Sequence, residues 1–124
     1  METLNIAVVG LGRVGTVFLE RILLHKSKGI EVTCVVERNE TSGKASASQA
    51  GIRVASVGEL IAAGNAVDII FDLTGSTETR RELREQLAAT NNRHTTIATE
   101  AIAHMMWKMM GDTDLPEHHG KGGY

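Results

Sequence analysis

Three glycines and one glutamate show the spacing with the clearest chemical meaning in this chain. Gly10, Gly12 and Gly15 directly follow an apolar run and open a segment with helical periodicity, and Glu37 comes 22 residues after Gly15. In this pattern the first glycine permits a sharp turn, the second leaves room for a phosphate group, and the third allows close helix packing. The spacing therefore predicts a turn that binds the pyrophosphate of a dinucleotide.

The predicted contacts to this anion come from the main chain, assisted by the positive end of a helix dipole. The turn comprises Gly10, Leu11, Gly12, Arg13, Val14 and Gly15. Glu37 would accept two hydrogen bonds from an adenosine ribose and repel a 2'-phosphate, which favours NAD over NADP. Arg38 and Lys44 could partly offset that repulsion. A tight turn without any ligand is the alternative interpretation.

Strands and helices must alternate along the chain to position these residues. Apolar runs predict strands at 4–10, 31–37, 52–54, 67–75 and 94–99, and helical patterns begin near Arg13, Ser56, Ser76 and Glu100. This alternation predicts an α/β fold with a doubly wound, Rossmann-like parallel sheet of five strands in the order 3-2-1-4-5. Since the order reverses beside the first strand, we expect a ligand at the glycines. The polar and small residues at 38–51 indicate a loop with one weak helical turn from Ala45.

Length and charge limit the classes of function. The 124 residues predict one dinucleotide-binding domain over 1–111 and a flexible polar tail or linker over 112–124. A net charge of -2 and an aromatic content of 3% argue against a nucleic-acid ligand. No segment approaches the run of about 18 apolar residues that a membrane span needs. We therefore expect a cytoplasmic protein with neither a nucleic-acid nor a membrane partner.

Other reactive side chains give weaker signals. His94, His104 and Lys108 are the candidate proton donors for hydride transfer, but each fits a surface position, and we assign no catalytic residue. Cys34 lies in an apolar run and is expected to be buried, with a reactive thiol as the alternative. The polar tail also contains potential metal ligands without a folded frame, so no metal site is predicted; they are His118 and His119 with Asp112, Asp114 and Glu117.

The motifs "IAVVGLGRVG", "VVE", "SVGELIAAGNAVDIIFDLTGS" and "HTTIATEAIAH" resemble the NAD-binding domains of two groups of enzymes. These are the glucose-fructose oxidoreductase and inositol dehydrogenase family, and homoserine dehydrogenase. The resemblance covers residues 4–104 and implies that Leu73, Thr74, Gly75 and Ser76 run past the nicotinamide half of the cofactor. It fails where the family has a Glu-Lys-Pro motif with a catalytic lysine, because this chain has Glu100-Ala101-Ile102. The few residues after Ala103 also leave no room for the family's substrate domain.

The segments Phe71–Ser76, Arg81–Glu85 and Ala103–Met110 more closely resemble the dehydrogenase-like modules in front of bacterial sensor kinases and regulators. That resemblance implies a sensory or regulatory NAD(H)-binding module that is not catalytic alone. Two alternatives stay open: the cofactor half of an oxidoreductase, and a dimerisation module that has lost the nucleotide. The methionine-rich helix Ile102–Met110 is apolar over more than one stripe, which predicts contact with a second copy or a neighbouring signalling domain, or else full burial.

Overall fold

The computed structural model describes residues 3–110 and 115–116. Five strands alternate with five helices, and two short 3-10 turns lie at Lys26–Lys28 and Gly64–Ala66. In chain order the elements are β1 Leu4–Val9, α1 Arg13–Leu23, β2 Ile30–Val36, α2 Ser42–Gln49, β3 Arg53–Val54, α3 Val57–Ala62, β4 Ile69–Asp72, α4 Thr77–Ala89, β5 Thr96–Ala98 and α5 Glu100–Met110. The predicted alternation is confirmed, although the strands β4 and β5 are shorter than their apolar runs.

All strand pairs are parallel, and the sheet has the order β3-β2-β1-β4-β5. This confirms the predicted doubly wound α/β fold. Val9, the last residue of β1, pairs with Val36 of β2 and with Asp72 of β4. The carboxyl ends of the three central strands are therefore level, and the loops that follow them meet at one edge of the sheet.

Apolar side chains fill a layer on each face of the sheet. One layer joins β1, α1 and α5 and includes Phe18, whose ring centroid lies 4.8 Å from that of Phe71 and 6.3 Å from that of Trp107. The opposite layer packs α3 and α4 against the other side of β1. Strands covered on both faces have near-continuous apolar sequences, as seen in "IAVV" of β1.

Side-chain caps fix where α3 and α4 begin. Ser56 accepts a hydrogen bond from Glu59 N–H at 3.1 Å while the Glu59 side chain accepts one from Ser56 N–H, so the predicted capping box is confirmed. Ser76 accepts from Thr79 N–H at 3.1 Å at the start of α4. Both helices consequently start directly at the carboxyl edge of the sheet.

The prediction of a loop over residues 38–51 is wrong, because Ser42–Gln49 forms the helix α2. Small residues make this possible by allowing α2 to pack closely on α1. A Cβ added to Gly43 would lie 2.2 Å from Thr16 Oγ1, and Ala47 is fully buried. Thr41 caps the helix by accepting from Lys44 N–H. Packing and a cap thus stabilise a sequence with weak intrinsic helix propensity.

The structure also describes Cys34 and part of the predicted tail. Cys34 is buried as expected, and burial raises the pKa of its thiol. Leu115, inside the predicted tail, is buried in the layer that contains Phe18. Residues 112–114 and 117–124 of the predicted tail, which include His118 and His119, lie outside the described residues. Within 3–110 and 115–116, no helix has the length and apolar character needed to span a bilayer.

Candidate cofactor site

A cleft of about 480 Å³ opens at the carboxyl ends of β1, β2 and β4, where the strand order reverses. This volume is within the range of roughly 300–1,000 Å³ typical of ligand pockets. Seven of the predicted site residues line it: Gly10, Gly12, Glu37, Arg38, Leu73, Thr74 and Ser76. Six further residues line it that the sequence did not single out: Val9, Val36, Asn39, Thr41, Val57 and Thr79. The fold therefore assembles the candidate site from three separate loops.

The other five predicted residues lie beside the cleft instead of lining it. Leu11, Val14 and Gly15 are the buried residues of the glycine turn, whereas Arg13 and Gly75 are exposed. The Leu11 N–H, one of the predicted phosphate donors, already donates to Glu37. Sequence spacing located a turn beside the cleft but did not distinguish the residues that line the cleft from those packed behind it.

Each glycine of the turn meets a different steric requirement. Gly10 has a φ of +94°, and a Cβ there would lie 2.8 Å from Thr74 Cγ2. A Cβ on Gly15 would lie 1.7 Å from the carbonyl oxygen of Gly10, so only glycine lets α1 pack this closely on the turn. A Cβ on Gly12 would meet nothing within 4 Å, because this residue faces the open cleft. Gly12 thus leaves space that a ligand can occupy.

The amino end of α1 is arranged differently from those of its neighbours. Thr41, Ser56 and Ser76 cap α2, α3 and α4 with their side chains, whereas Gly12, the residue before α1, provides no side-chain cap. The first N–H groups of a helix lack intrahelical acceptors, and the helix dipole favours negative charge there. A phosphate beside Gly12 would supply acceptors at the start of α1.

Glu37 follows β2 directly and faces the glycine turn across the cleft. Its Oε1 accepts from Leu11 N–H at 2.6 Å and its Oε2 accepts from Asn39 N–H at 3.0 Å. The two backbone donors fix the orientation of the carboxylate, and each oxygen keeps lone pairs for further donors such as ribose hydroxyls. Arg38 is exposed at the rim, and Lys44 lies 3.4 Å from the Glu40 carboxylate.

The loop after β4 rests on a buried carboxylate that the sequence analysis did not identify. Asp72 is fully buried and accepts from Thr74 N–H, from Thr74 Oγ1–H and from Arg80 Nε–H, at 3.2, 2.7 and 3.0 Å. Thr74 Oγ1 also accepts from Ser76 N–H at 3.1 Å. The available signal was an acidic residue at the end of the apolar run "VDIIFDL". A charge in such a position needs a buried partner.

The candidate proton donors lie away from the cleft. His94 Nε2 is 2.6 Å from Asp68 Oδ1, at the amino end of the sheet. His104 and Lys108 lie on α5, and neither is among the described residues that line the cleft. Among residues 3–110 and 115–116, no group of three or more histidine, cysteine or acidic side chains could hold a metal ion.

The family of this chain follows from its similarity to known proteins. Residues 4–105 match the oxidoreductase family with an NAD-binding Rossmann fold. The chain belongs to this family. The resemblance to the NAD-binding domain of the glucose-fructose oxidoreductase and inositol dehydrogenase family is therefore confirmed, and the chain is an NAD-binding Rossmann domain of an oxidoreductase family. A comparison with curated protein sequences gives no match.

Solved structures of homoserine dehydrogenases share the fold of this NAD-binding domain. One from S. aureus at pH 7.0 superposes with a TM-score of 0.60 at 21% identity, over 87% of this chain and 29% of that enzyme. One from Thiobacillus denitrificans has a TM-score of 0.56 at 24% identity, over 89% of this chain and 26% of the enzyme. The chain therefore spans less than a third of the length of these dehydrogenases.

Proposed function

We propose that this domain holds NAD(H) across the carboxyl edge of the sheet. The pyrophosphate would lie on Gly12 and the uncapped amino end of α1, with the adenosine ribose on Glu37 and the nicotinamide half along residues 73–76. The observation that supports this most strongly is the open space at Gly12, because Gly10 and Gly15 are packed against backbone and Gly12 is not. A Rossmann glycine in open space is the one expected to admit a pyrophosphate.

We infer a preference for NAD over NADP from the position of Glu37. Its carboxylate is fixed by the N–H groups of Leu11 and Asn39 and would repel a 2'-phosphate on the adenosine ribose. Of the two cations that could offset this repulsion, Lys44 lies beside the Glu40 carboxylate. Arg38 lines the cleft and is the residue that would limit the preference.

The proposed role is sensory or regulatory, with no catalysis by the domain alone. No histidine, lysine or tyrosine occurs among the described residues of the cleft, so a general acid for carbonyl reduction would have to come from elsewhere. The alternative is the cofactor half of an oxidoreductase, which the partial coverage of the dehydrogenases favours. In either case the domain contributes cofactor binding and orientation.

A protein partner would bind the outer face of α5. Ala103 and Trp107 of this helix are buried, whereas Ile102, Met105 and Met109 are 41%, 52% and 78% exposed. These three side chains form an apolar stripe opposite the core, and flexible methionines suit adaptable interfaces. We propose that this stripe contacts a second copy of the chain or a neighbouring signalling domain.

Calorimetric titration with NAD, NADH, NADP and NADPH tests the nucleotide proposal directly. We expect NAD or NADH to bind at least about tenfold more tightly than the phosphorylated forms. No binding of any form at concentrations of about 1 mM would contradict the proposal and leave a dimerisation module without a nucleotide as the better interpretation.

A further inference from the structure

The buried carboxylate of Asp72 connects three parts of the molecule that the cofactor proposal does not explain. It lies at the carboxyl end of β4 and accepts hydrogen bonds from Thr74 in the following loop and from Arg80 on α4. Asp72 is fully buried, and the Arg80 side chain is only 14% exposed. Removing two charges from water is costly, so a pair in this position requires an explanation.

The contacts continue from the ion pair to the glycine turn. Thr74, fixed by Asp72, packs so closely on the turn that a Cβ on Gly10 would lie 3.0 Å from its Cα and 2.8 Å from its Cγ2. Leu73 N–H also donates to Val9 O at 2.8 Å, immediately before Gly10. The position of the loop at 73–76 therefore determines how far the cleft extends from the glycine turn towards α4.

The Thr74 side chain has a structural role in this arrangement. Its hydroxyl donates to Asp72 and accepts from Ser76 N–H, so its one hydrogen is already used within the loop. Thr74 therefore affects the cleft by fixing the shape of the turn before Ser76, the residue that caps α4. That shape depends on the Asp72 carboxylate, which Arg80 holds from the side of the helix.

We propose that the Asp72–Arg80 ion pair is a positioning device for the half of the cleft at the β4 loop, a role that rests on the proposed binding of NAD(H). A dinucleotide crosses the sheet edge at the strand reversal, with one half on each side of β1. Glu37 lies on the β2 side and would take the adenosine ribose. The ion pair therefore controls the opposite half, which accommodates the nicotinamide side.

The test compares Arg80→Met with the matched variant Arg84→Met, which changes an exposed arginine on the same helix. Calorimetry would measure the affinity of each folded variant for NAD and for ADP, which contains only the adenosine side and the pyrophosphate. We expect Arg80→Met to lower the affinity for NAD about tenfold and that for ADP less than about twofold. Arg84→Met should change neither, and Arg80→Lys should be intermediate because it keeps the charge but loses the Nε–H donor.

Two results would overturn this proposal. Equal NAD affinity in Arg80→Met and Arg84→Met would show that the ion pair does not position the loop. An equal loss of NAD and ADP affinity would indicate a general loosening of the fold. If Arg80→Met does not fold, Thr74→Val removes the bridging hydroxyl with little change of shape, and the same selective loss of NAD is expected.

Hydrogen exchange on the unliganded protein separates failure of this inference from failure of the proposed function. Arg80→Met should accelerate amide exchange in residues 73–76 and leave residues 37–41 unchanged, relative to Arg84→Met. If the unmodified protein binds neither NAD nor ADP, the nucleotide proposal is wrong, and the exchange pattern still decides whether the ion pair fixes the loop. Unchanged exchange in 73–76 would refute the positioning role.

Discussion

The Glu37 carboxylate accepts a hydrogen bond from Leu11 N–H at 2.6 Å, which joins the residue after β2 to the middle of the glycine turn. The second carboxylate oxygen is held by Asn39 N–H. One side chain therefore fixes the loop after β2 relative to the glycine turn. A preorganised carboxylate loses little conformational entropy when a ligand binds, which favours affinity.

Replacing Glu37 tests this relationship. In Glu37→Gln one of the two backbone N–H groups, of Leu11 or Asn39, faces an amide NH₂ instead of an acceptor, and the negative charge is lost. We expect NAD affinity to fall about tenfold and the preference over NADP to disappear, as measured by calorimetry. Glu85→Gln is the control, because that side chain is exposed on α4 and does not line the cleft. An unchanged preference for NAD in Glu37→Gln would refute the assigned role.

Gly12 and Gly15 should respond in opposite ways to added side chains. Gly12→Leu places its side chain in open cleft, so we expect an unchanged melting temperature and a loss of NAD affinity of about a hundredfold or more. Gly15→Ala places a Cβ against the Gly10 carbonyl oxygen and should destabilise the fold by about 1–3 kcal/mol. Thermal melts and calorimetry measure both effects. NAD binding by Gly12→Leu at normal affinity would place the pyrophosphate elsewhere.

Local sequence patterns predicted the parts of this fold that local physics controls. Buried apolar runs identified the strands, Ser56 with Glu59 identified a helix start, and the alternation of elements determined the strand order. The helix α2 was missed because its stability comes from Gly43 and Ala47 packing on α1. Such contacts join residues far apart in sequence and leave no periodic signal.

In the candidate site, too, local sequence predicted some features, whereas others depend on tertiary contacts. The spacing of the glycines located the turn, and the family resemblance added the loop after β4. The support of that loop by Asp72 was missed, because a salt bridge from the end of a strand to Arg80, one helical turn into the next helix, depends on three-dimensional packing. Tertiary geometry also determines which turn residues face the cleft. For example, the Leu11 N–H donates to the Glu37 carboxylate and is therefore not directed at the cleft.

The exposed stripe on α5 predicts self-association that charged substitutions should abolish. Met105→Lys with Met109→Lys changes two side chains that are 52% and 78% exposed, so the stability of the isolated domain should be retained. We expect a concentration-dependent dimer of the unmodified chain in sedimentation velocity, and a monomer of the double variant. Leu24→Lys is the matched control, since Leu24 is 77% exposed but lies after α1.

A monomer at every concentration, unaffected by these substitutions, would exclude the second copy as the partner of α5. The stripe would then be assigned to a neighbouring domain, whose contact could be tested by the same variants in a longer chain. Dimerisation that survives the double substitution would place the interface on another surface.

Acid should destabilise the amino end of the sheet through Asp68. The N–H of Asn5 in β1 donates to this carboxylate at 2.8 Å, and His94 lies 2.6 Å from its other oxygen. The Asn5 hydrogen bond, followed by that of His94, holds the pKa of Asp68 below its ordinary value of 3.8. Because the folded state favours the ionised form, this contribution is complete above the unfolded pKa and is lost as pH falls towards the folded pKa.

Thermal melts of the unmodified protein and of Asp68→Asn between about pH 6 and pH 2 measure this loss. The variant should be less stable at about pH 6, and the difference between the two proteins should shrink as the pH falls below 3.8 towards the lower pKa of the folded carboxylate, since the unfolded chain then takes up a proton that the folded protein does not. Glu85→Gln, at an exposed position on α4, controls for the general effect of removing a negative charge. If the difference in melting temperature between Asp68→Asn and the unmodified protein is the same at every pH in this range, Asp68 does not couple folding to pH.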